Sequence, residues 1–192
     1  MHADRILIQR AQANDRTAFN EIVLRYKSRI YNYVYRMIRS ATDAEDLTQE
    51  TFIRAYTSIH TFQSRASLNT WLFRIATNLC VDYARKAKTH PVAQSLDIPE
   101  EEAQGSQREI PSLVYDPQRL LLNQELGKRL EEAMRSLPER HRIVVLLYDL
   151  EGLSYEEIAQ IVGAPLGTVK SRLYHARLQL REMLQPYLQD FI

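Results

Sequence analysis

The chain has 192 residues, of which 45% are hydrophobic and 26% charged, the composition of a globular protein of one or two domains. It has no apolar run near the roughly 18–20 residues that cross a bilayer, and no secretory signal, so we expect a cytoplasmic protein without direct membrane insertion. The single cysteine, Cys80, excludes an internal disulfide framework and a zinc site made of several thiolates.

The net charge of +1 hides an uneven distribution of charge along the chain. Residues 1–90 carry 14 basic and 8 acidic side chains, a net charge of +6, whereas residues 91–117 carry 1 and 6, a net charge of −5. Residues 118–192 carry 10 of each kind. A basic block, an acidic connector and a mixed block indicate three parts that meet different partners.

The first block predicts helices throughout, because it contains no glycine and its first proline comes only at Pro91. Thr42 followed by Glu45 predicts a capping box at the start of the third helix, and the polar segment 60–67 predicts a loop before the fourth. The expected helices lie near residues 4–13, 16–39, 43–58 and 67–88.

Residues 91–117 predict a flexible linker, because four prolines, a glycine and the run Glu100–Glu102 interrupt any apolar period. The third block is helical again, with Gly152 expected to close one helix and Ser154 with Glu157 to cap the next. The expected helices lie near 118–135, 139–150, from 154 onward, and 168–184. The sequence therefore predicts an all-α fold of two small helical domains, 1–90 and 118–192, joined by a flexible acidic linker.

Residues 154–181 carry the clearest functional signal, since a short capped helix, a turn at Gly163 and a longer basic helix form a helix-turn-helix. At 3.6 residues per turn the last helix has an apolar stripe and an opposite polar face. The stripe is Val169, Leu173, Ala176, Leu180 and Leu184. The polar face is Thr168, Ser171, Tyr174 and His175, flanked by Lys170, Arg172 and Arg177. A solvated helix closing a bundle would share this pattern, but the absence of acids from 165–181 favours DNA binding.

Two further stretches of the sequence, together with the helix-turn-helix, resemble a known protein family. Residues 43–56 read Asp-Ala-Glu-Asp-Leu-Thr-Gln-Glu-Thr-Phe-Ile-Arg-Ala-Tyr, and residues 70–85 read Thr-Trp-Leu-Phe-Arg-Ile-Ala-Thr-Asn-Leu-Cys-Val-Asp-Tyr-Ala-Arg. Together with the Gly-Thr-Val-Lys-Ser-Arg run that starts at Gly167, they closely resemble the extracytoplasmic-function (group IV) sigma factors of the sigma-70 family. Residues 1–90 then correspond to the second conserved domain of that family, and residues 118–192 to the fourth.

The resemblance implies a transcription-initiation factor that binds core RNA polymerase, through its beta and beta-prime subunits, and directs it to promoter DNA. In the family, one face of the helix 43–58 docks on the clamp helices of the largest subunit. Here that face carries Asp46, Gln49, Glu50 and Ile53. An acidic face with one apolar side chain suits a basic helical partner, although a merely solvated acidic face at a helix N-terminus has the same pattern.

The resemblance also assigns −10 recognition to the segment 60–67 and the helix after it. That helix is expected to bury Leu68, Leu72, Ile75, Leu79 and Tyr83. On or beside its opposite face we expect Thr70, Arg74, Thr77, Asn78 and Arg85, a strip whose cations and amides suit single-stranded DNA. In the family this region holds the melted −10 element with one base extruded, which carries over here to Phe62, Gln63, Ser64, Arg65, Arg74 and Asn78. An alternative for Phe62 is an anchor beneath the loop.

For the −35 element, the resemblance points to Lys170, Ser171, Tyr174 and His175, within the wider set of Thr168, Lys170, Ser171, Arg172, Tyr174, His175 and Arg177. His175 stands where many relatives carry arginine. We expect a GAAC-like −35 core, with weaker guanine discrimination at the base that meets this histidine.

Sigma factors of this type read two elements roughly 25 base pairs apart, on the order of 85 Å. A linker of about 27 residues reaches up to roughly 90 Å when extended but spans nearer to about 30 Å when relaxed. The two domains can therefore lie close together in the free chain and separate on the polymerase.

We expect no cofactor, no metal and no enzymatic activity, since the five histidines lie in separate elements and no glycine-rich phosphate loop occurs. The resemblance further implies an anti-sigma factor that masks both domains, and we expect a monomer in the free state. Two alternatives stay open. One is a conventional repressor or activator that binds palindromic DNA as a dimer, and the other is a metal-dependent enzyme using Asp43, Asp46 and Glu50.

Overall fold

The computed structural model describes residues 2–63, 66–89 and 117–188, and all regular elements in these ranges are helical. The N-terminal bundle consists of α1 (His2–Gln12), α2 (Arg16–Ile38), α3 (Ala41–Ser58) and α4 (Leu68–Thr89). The C-terminal bundle consists of α5 (Pro117–Ser136), α6 (Glu139–Val145), α7 (Tyr155–Val162) and α8 (Leu166–Leu188). The predicted all-α fold with two helical domains is confirmed. Most of the predicted linker, together with Ser64 and Arg65, lies outside the described residues.

Side-chain caps fix where the long helices of the N-terminal bundle begin. The Asp15 carboxylate accepts hydrogen bonds from the backbone N–H groups of Thr17 and Ala18, at 2.9 and 3.2 Å, and so starts α2. The capping box predicted at Thr42 and Glu45 is wrong. Ser40 caps α3 instead, by accepting from the backbone N–H of Asp43. The helix therefore begins at Ala41, and Thr42 lies inside its first turn.

In the N-terminal bundle, α2, α3 and α4 pack around a shared apolar core. Its largest fully buried side chains include Tyr33, Phe73, Ile22, Ile30, Ile59 and Leu72. The Tyr33 ring meets Phe73 edge-on at 5.2 Å between centroids. Its hydroxyl shares a 2.8 Å hydrogen bond with the Thr77 hydroxyl, which satisfies both polar groups inside the core. This bond ties α2 to α4, the helix predicted to hold single-stranded DNA.

In the C-terminal bundle, α7 and α8 form the predicted helix-turn-helix. The capping box of Ser154 and Glu157 is confirmed, because each side chain accepts a hydrogen bond from the other residue's backbone N–H. Gly163 ends α7 with a left-handed φ of 62°, a conformation that glycine adopts without a steric penalty. The second helix of this motif, α8, then starts at Leu166, two residues before the predicted start.

The segment 139–150, predicted as one α-helix, is α-helical only in its first part. Its first part is α6, and residues Leu146–Leu150 form a π-helical turn. Single π-helical turns inside α-helices are frequently found at functional sites. Here the turn precedes Gly152, which has the expected left-handed φ of 69°.

The two bundles pack against each other along what we call the seam, the contact of α4 with α7 together with the ion pair between Arg29 of α2 and Glu151. Buried apolar residues of both bundles belong to one continuous cluster. A second ion pair joins Arg39 to Glu131 at 3.2 Å. The described part of the chain therefore holds its two domains in direct contact.

None of the helices within the described ranges combines the length and the apolar character that crossing a lipid bilayer requires.

Candidate nucleic-acid interface

The recognition helix α8 presents the predicted polar face to solvent. Val169, Leu173 and Ala176 are buried against the bundle, as the apolar stripe predicted, while Leu180 packs partly buried beside them. The opposite face is open, and Tyr174 is 66% exposed. Lys170, Ser171, His175 and Arg177 are exposed as well, whereas Thr168 and Arg172 are half-buried. The helix thus carries polar and cationic side chains in the arrangement that a major-groove reader requires.

Two of the cations on α8 rest on a pair of stacked tyrosines. The rings of Tyr148 and Tyr155 lie 4.7 Å apart at an angle of 19°. The Lys170 ammonium lies 5.6 Å from the Tyr155 ring centre, and the Arg177 guanidinium lies 5.1 Å from that of Tyr148. Both distances are within the range of cation–π attraction. The tyrosine pair therefore positions both cations without neutralising their charge.

Arg177 has a further partner that the sequence did not indicate. Asp149, in the π-helical turn, accepts hydrogen bonds from the Nε and Nη2 atoms of Arg177. Hydrogen bonding to this carboxylate raises the pKa of Arg177, against the opposing effect of burial. Of the basic residues predicted to flank the reading face, Arg177 is thus held by an acid, while Lys170 lies over a ring.

The helix α4 is buried on more sides than its sequence predicts. Thr70 and Thr77 were expected beside the exposed strip, but they are 1% and 3% exposed, so this prediction is wrong. Thr77 bonds to Tyr33 inside the core, and Thr70 lies against α7, where its hydroxyl donates to Glu157. A helix with neighbours on two sides buries threonine readily when each hydroxyl finds a partner.

The predicted strip keeps Arg74, Asn78 and Arg85 exposed on α4. Arg74 and Asn78 are exposed one helical turn apart, with Gln63 exposed just before the helix. Phe62 is 8% exposed, and its ring lies 4.9 Å from that of Trp71. Its position favours the anchoring role over stacking on a base. Ser64 and Arg65, the other predicted contacts in this segment, lie outside the described residues.

The face of α3 predicted to meet the polymerase is open to solvent. Asp46 and Gln49 are exposed, and Ile53 is 57% exposed. Glu50 is half-buried and pairs with Arg54 one turn on, at 2.7 Å. The opposite side of the helix packs into the core, where Ala44, Thr48, Thr51, Phe52 and Ala55 are buried.

The acids of the alternative metal site, Asp43, Asp46 and Glu50, do not share a common ligand position, because two of them bond to other side chains. Asp43 accepts a 2.8 Å hydrogen bond from the Tyr83 hydroxyl, and Glu50 pairs with Arg54. Across the described ranges, no three histidine, cysteine, aspartate or glutamate side chains lie close enough to hold a metal ion.

Comparison with known proteins gives matches over both bundles. Residues 22–90 match the family model of sigma-70 region 2, and residues 127–180 match that of sigma-70 region 4. The chain is 36% identical over 189 residues to the ECF RNA polymerase sigma-E factor of Salmonella typhimurium, and the match covers 97% of this chain and 96% of that protein.

Two solved structures share the fold over most of their length. CnrH, solved in complex with the cytosolic domain of CnrY, superposes with a TM-score of 0.69 at 24% identity, covering 96% of this chain and 98% of that one. The sigma factor RpoE of Bartonella quintana, solved with the anti-sigma factor NepR, superposes with a TM-score of 0.67 at 26% identity, covering 87% of this chain and 96% of that one.

Proposed function

Because the chain belongs to the extracytoplasmic-function sigma factors of the sigma-70 family, we propose that it binds core RNA polymerase and directs initiation at promoters with −10 and −35 elements. The observation that carries this proposal is the open polar face of α8 on a helix-turn-helix, within a chain that matches a sigma factor along nearly its whole length.

We assign the work to three parts of the chain. Residues 1–90 bind the core enzyme and open the −10 element, residues 91–117 form the linker, and residues 118–192 read the −35 element. Core binding falls to the exposed face of α3, where Asp46, Gln49 and Ile53 are accessible. An interface of this kind gains orientation and association rate from charge complementarity.

DNA reading is divided between bases and phosphates. On α8, Ser171, Tyr174 and His175 face the base edges, while Lys170 and Arg172 serve the phosphates beside them. On α4, the exposed guanidinium of Arg74 suits the backbone of a separated strand, and the Asn78 amide suits a base edge. Under this proposal each helix contacts both the DNA backbone, which positions it, and the bases, which it reads.

The chain contributes recognition, and the polymerase contributes catalysis, so the protein is not an enzyme under this proposal. It acts in the cytoplasm, where promoter DNA is found. RpoE of Bartonella quintana was solved with its anti-sigma factor NepR, and its likeness to this chain supports control by an anti-sigma factor here too.

Run-off transcription tests the proposal directly. Purified core polymerase, with and without the full chain, is incubated with genomic promoter fragments, and discrete transcripts should appear only when the chain is added. The chain alone at the same promoters is the control. Tight binding as a dimer to palindromic duplex DNA without polymerase, and no transcript with it, would instead identify a conventional repressor or activator.

A further inference from the structure

The last residue of α1 holds the short 3-10 turn that follows α3. This turn, Ile59–Thr61, begins the segment that leads into α4. The Nε2 atom of Gln12 donates to the backbone oxygen atoms of Ile59 and Phe62, both at 3.0 Å. A side-chain amide nitrogen carries two hydrogens, so these two carbonyls use its full donor capacity. One side chain therefore spans the turn from its first residue to the residue that follows it.

Apolar side chains hold the same turn from the core side. Ile59 and Phe62 are 1% and 8% exposed, and the Phe62 ring lies 4.9 Å from the ring of Trp71 on α4. The backbone N–H of Phe62 donates to the Ile59 carbonyl at 3.1 Å and closes the turn. Gln63 comes next and is exposed. The chain thus passes within one residue from a side chain anchored in the core to one that lies in solvent.

The hydrogen bond to the Phe62 carbonyl acts directly on Gln63. This carbonyl and the Gln63 N–H belong to one planar peptide group, so a donor that fixes the carbonyl also fixes the plane from which Gln63 starts. Phe62 has φ −65° and ψ 111°, and ψ is the rotation that orients this plane. The buried ring anchors the Phe62 side chain, whereas Gln12 sets the rotation.

The orientation of Gln63 matters because the other exposed residues predicted to contact the −10 element lie on a helix. Arg74 and Asn78 are exposed one turn apart on α4, and the helical backbone fixes their separation. Gln63 precedes the helix, so its place relative to them depends on the turn. A surface that reads a strand in one register needs all of its contacts held by supporting hydrogen bonds and packing.

We propose that Gln12 is a positioning residue for −10 recognition, whose amide orients the peptide between Phe62 and Gln63 and so sets Gln63 relative to the exposed strip of α4. The proposal rests on the proposed function, which assigns the −10 element to residues 1–90. Gln12 acts through the turn and does not touch DNA. It precedes residues 22–90, which match sigma-70 region 2, so a residue outside that match tunes what the matched region reads.

Substitutions at Gln12 can separate its donors from its shape. Gln12→Met places a methyl group where Nε2 lies and removes both donors, and Gln12→Glu removes them with an ionised carboxylate, which only accepts. Gln12→Lys keeps donors, because its ammonium carries three hydrogens. The matched controls are Gln9→Met and Gln9→Lys, at an exposed glutamine one turn earlier on α1 that does not donate to Ile59 or Phe62. Thermal unfolding shows whether each variant keeps its fold.

Transcription from a promoter library tests the positioning role. Holoenzyme made from core polymerase and each full-length variant transcribes one promoter, found by run-off transcription, whose −10 region is randomised and linked to a barcode. A merely structural loss lowers the transcript from every library member by one factor, whereas lost positioning reduces discrimination between bases. Gln12→Met and Gln12→Glu should reduce discrimination at one or two −10 positions by about three- to tenfold, the size of a lost hydrogen bond. Gln12→Lys should restore it, and the controls should match the wild type.

Equal base preferences in Gln12→Met and Gln9→Met overturn the positioning role, and so does a loss in Gln12→Lys as large as that in Gln12→Met. Amide hydrogen exchange on the free chain adds a measurement that needs neither DNA nor polymerase. Residues 59–63 should exchange about three- to tenfold faster in Gln12→Met than in Gln9→Met, and equal rates overturn the hold of Gln12 on the turn. Run-off transcription with the wild type judges the proposed function separately.

Discussion

Asp149 and Arg177 form a two-point ion pair that joins the π-helical turn after α6 to the middle of the recognition helix α8. The pair lies beside the stacked rings of Tyr148 and Tyr155, which also hold Lys170. An arginine on a DNA-reading helix is thus held by an acid of its own bundle. If Arg177 meets a DNA phosphate as proposed, we expect Asp149 to limit how much of the guanidinium charge is available to that phosphate.

Asp149→Asn should release Arg177 toward DNA. The full chain should bind a −35 duplex more tightly at low salt, and the slope of log affinity against log salt should steepen by about one phosphate. Fluorescence titrations over a range of salt concentrations measure this. The same change in an Arg177→Ala background should bring no gain. Weaker binding by Asp149→Asn would mean that the acid holds Arg177 where the DNA requires it.

His175→Arg should change base preference. Arginine can grip guanine with two parallel hydrogen bonds, whereas neutral histidine offers one donor on a shorter side chain. Binding to sites with guanine at that position should tighten by about 1–3 kcal/mol. Binding-site selection on the full chain measures the preference. Arg172→Ala should weaken all sites together, and a shift in base preference by this variant but not by His175→Arg would reverse our assignment of the two roles.

Asp46→Arg combined with Gln49→Ala should weaken association with core polymerase by about 1–4 kcal/mol, because the change reverses the charge of the proposed docking face. Both side chains are exposed, so the thermal unfolding of the free chain should stay the same. Glu45→Arg, at a neighbouring exposed position of α3, is the control for charge alone. If the double variant co-purified with core polymerase at wild-type levels, this face of α3 would not be part of the interface.

Asn78→Ala and Arg74→Ala should impair promoter opening more than the first binding to duplex DNA. Both side chains lie exposed on α4, where they are proposed to meet the separated strand. Permanganate reactivity of thymines in the −10 element should fall on duplex templates and largely recover on templates with a pre-melted bubble. Equal defects on the two templates would place the role of these residues before strand separation.

Cys80 should report on the opening of the N-terminal bundle. Burial raises the pKa of Cys80 to about 12, so at pH 8 the folded chain should alkylate at least about a thousandfold more slowly than the urea-unfolded chain. A raised thiol pKa favours the folded state below about pH 8.5, and this contribution is lost as the pH rises through the folded value. Fast alkylation under native conditions would show that the bundle opens locally at α4.

Much of the secondary structure follows from local chemistry. Three local signals determine where helices form and end, and each works within one or two helical turns. They are the lack of glycine and proline, a serine three residues before a glutamate, and a glycine after an apolar helix. The helices and the capping box of Ser154 and Glu157 were therefore predictable. The cap of α3 was not predictable, because Ser40 and Thr42 each lie three residues before an acid, and the structure shows that Ser40 is the cap.

The polar face of α8 was predictable for the same reason, since the 3.6-residue period of a helix places it on the side opposite the apolar stripe. The hold of Asp149 on Arg177 was not, because the two residues are 28 positions apart and meet only through the π-helical turn. The burial of Thr70 and Thr77 was also missed, since helix periodicity tells how many faces are apolar but not whether a hydroxyl has a partner across the core.

The family, the all-α fold, the helix-turn-helix and the three blocks of charge could be predicted from the sequence alone, because they depend on local patterns and on similarity along the chain. The folded structure was needed to show that Glu157 bonds to the first turns of two helices and that Arg29 meets Glu151, a residue 122 positions away. Such contacts depend on how two bundles approach each other in space. The residues next to a side chain in the sequence therefore do not predict which distant residue it contacts.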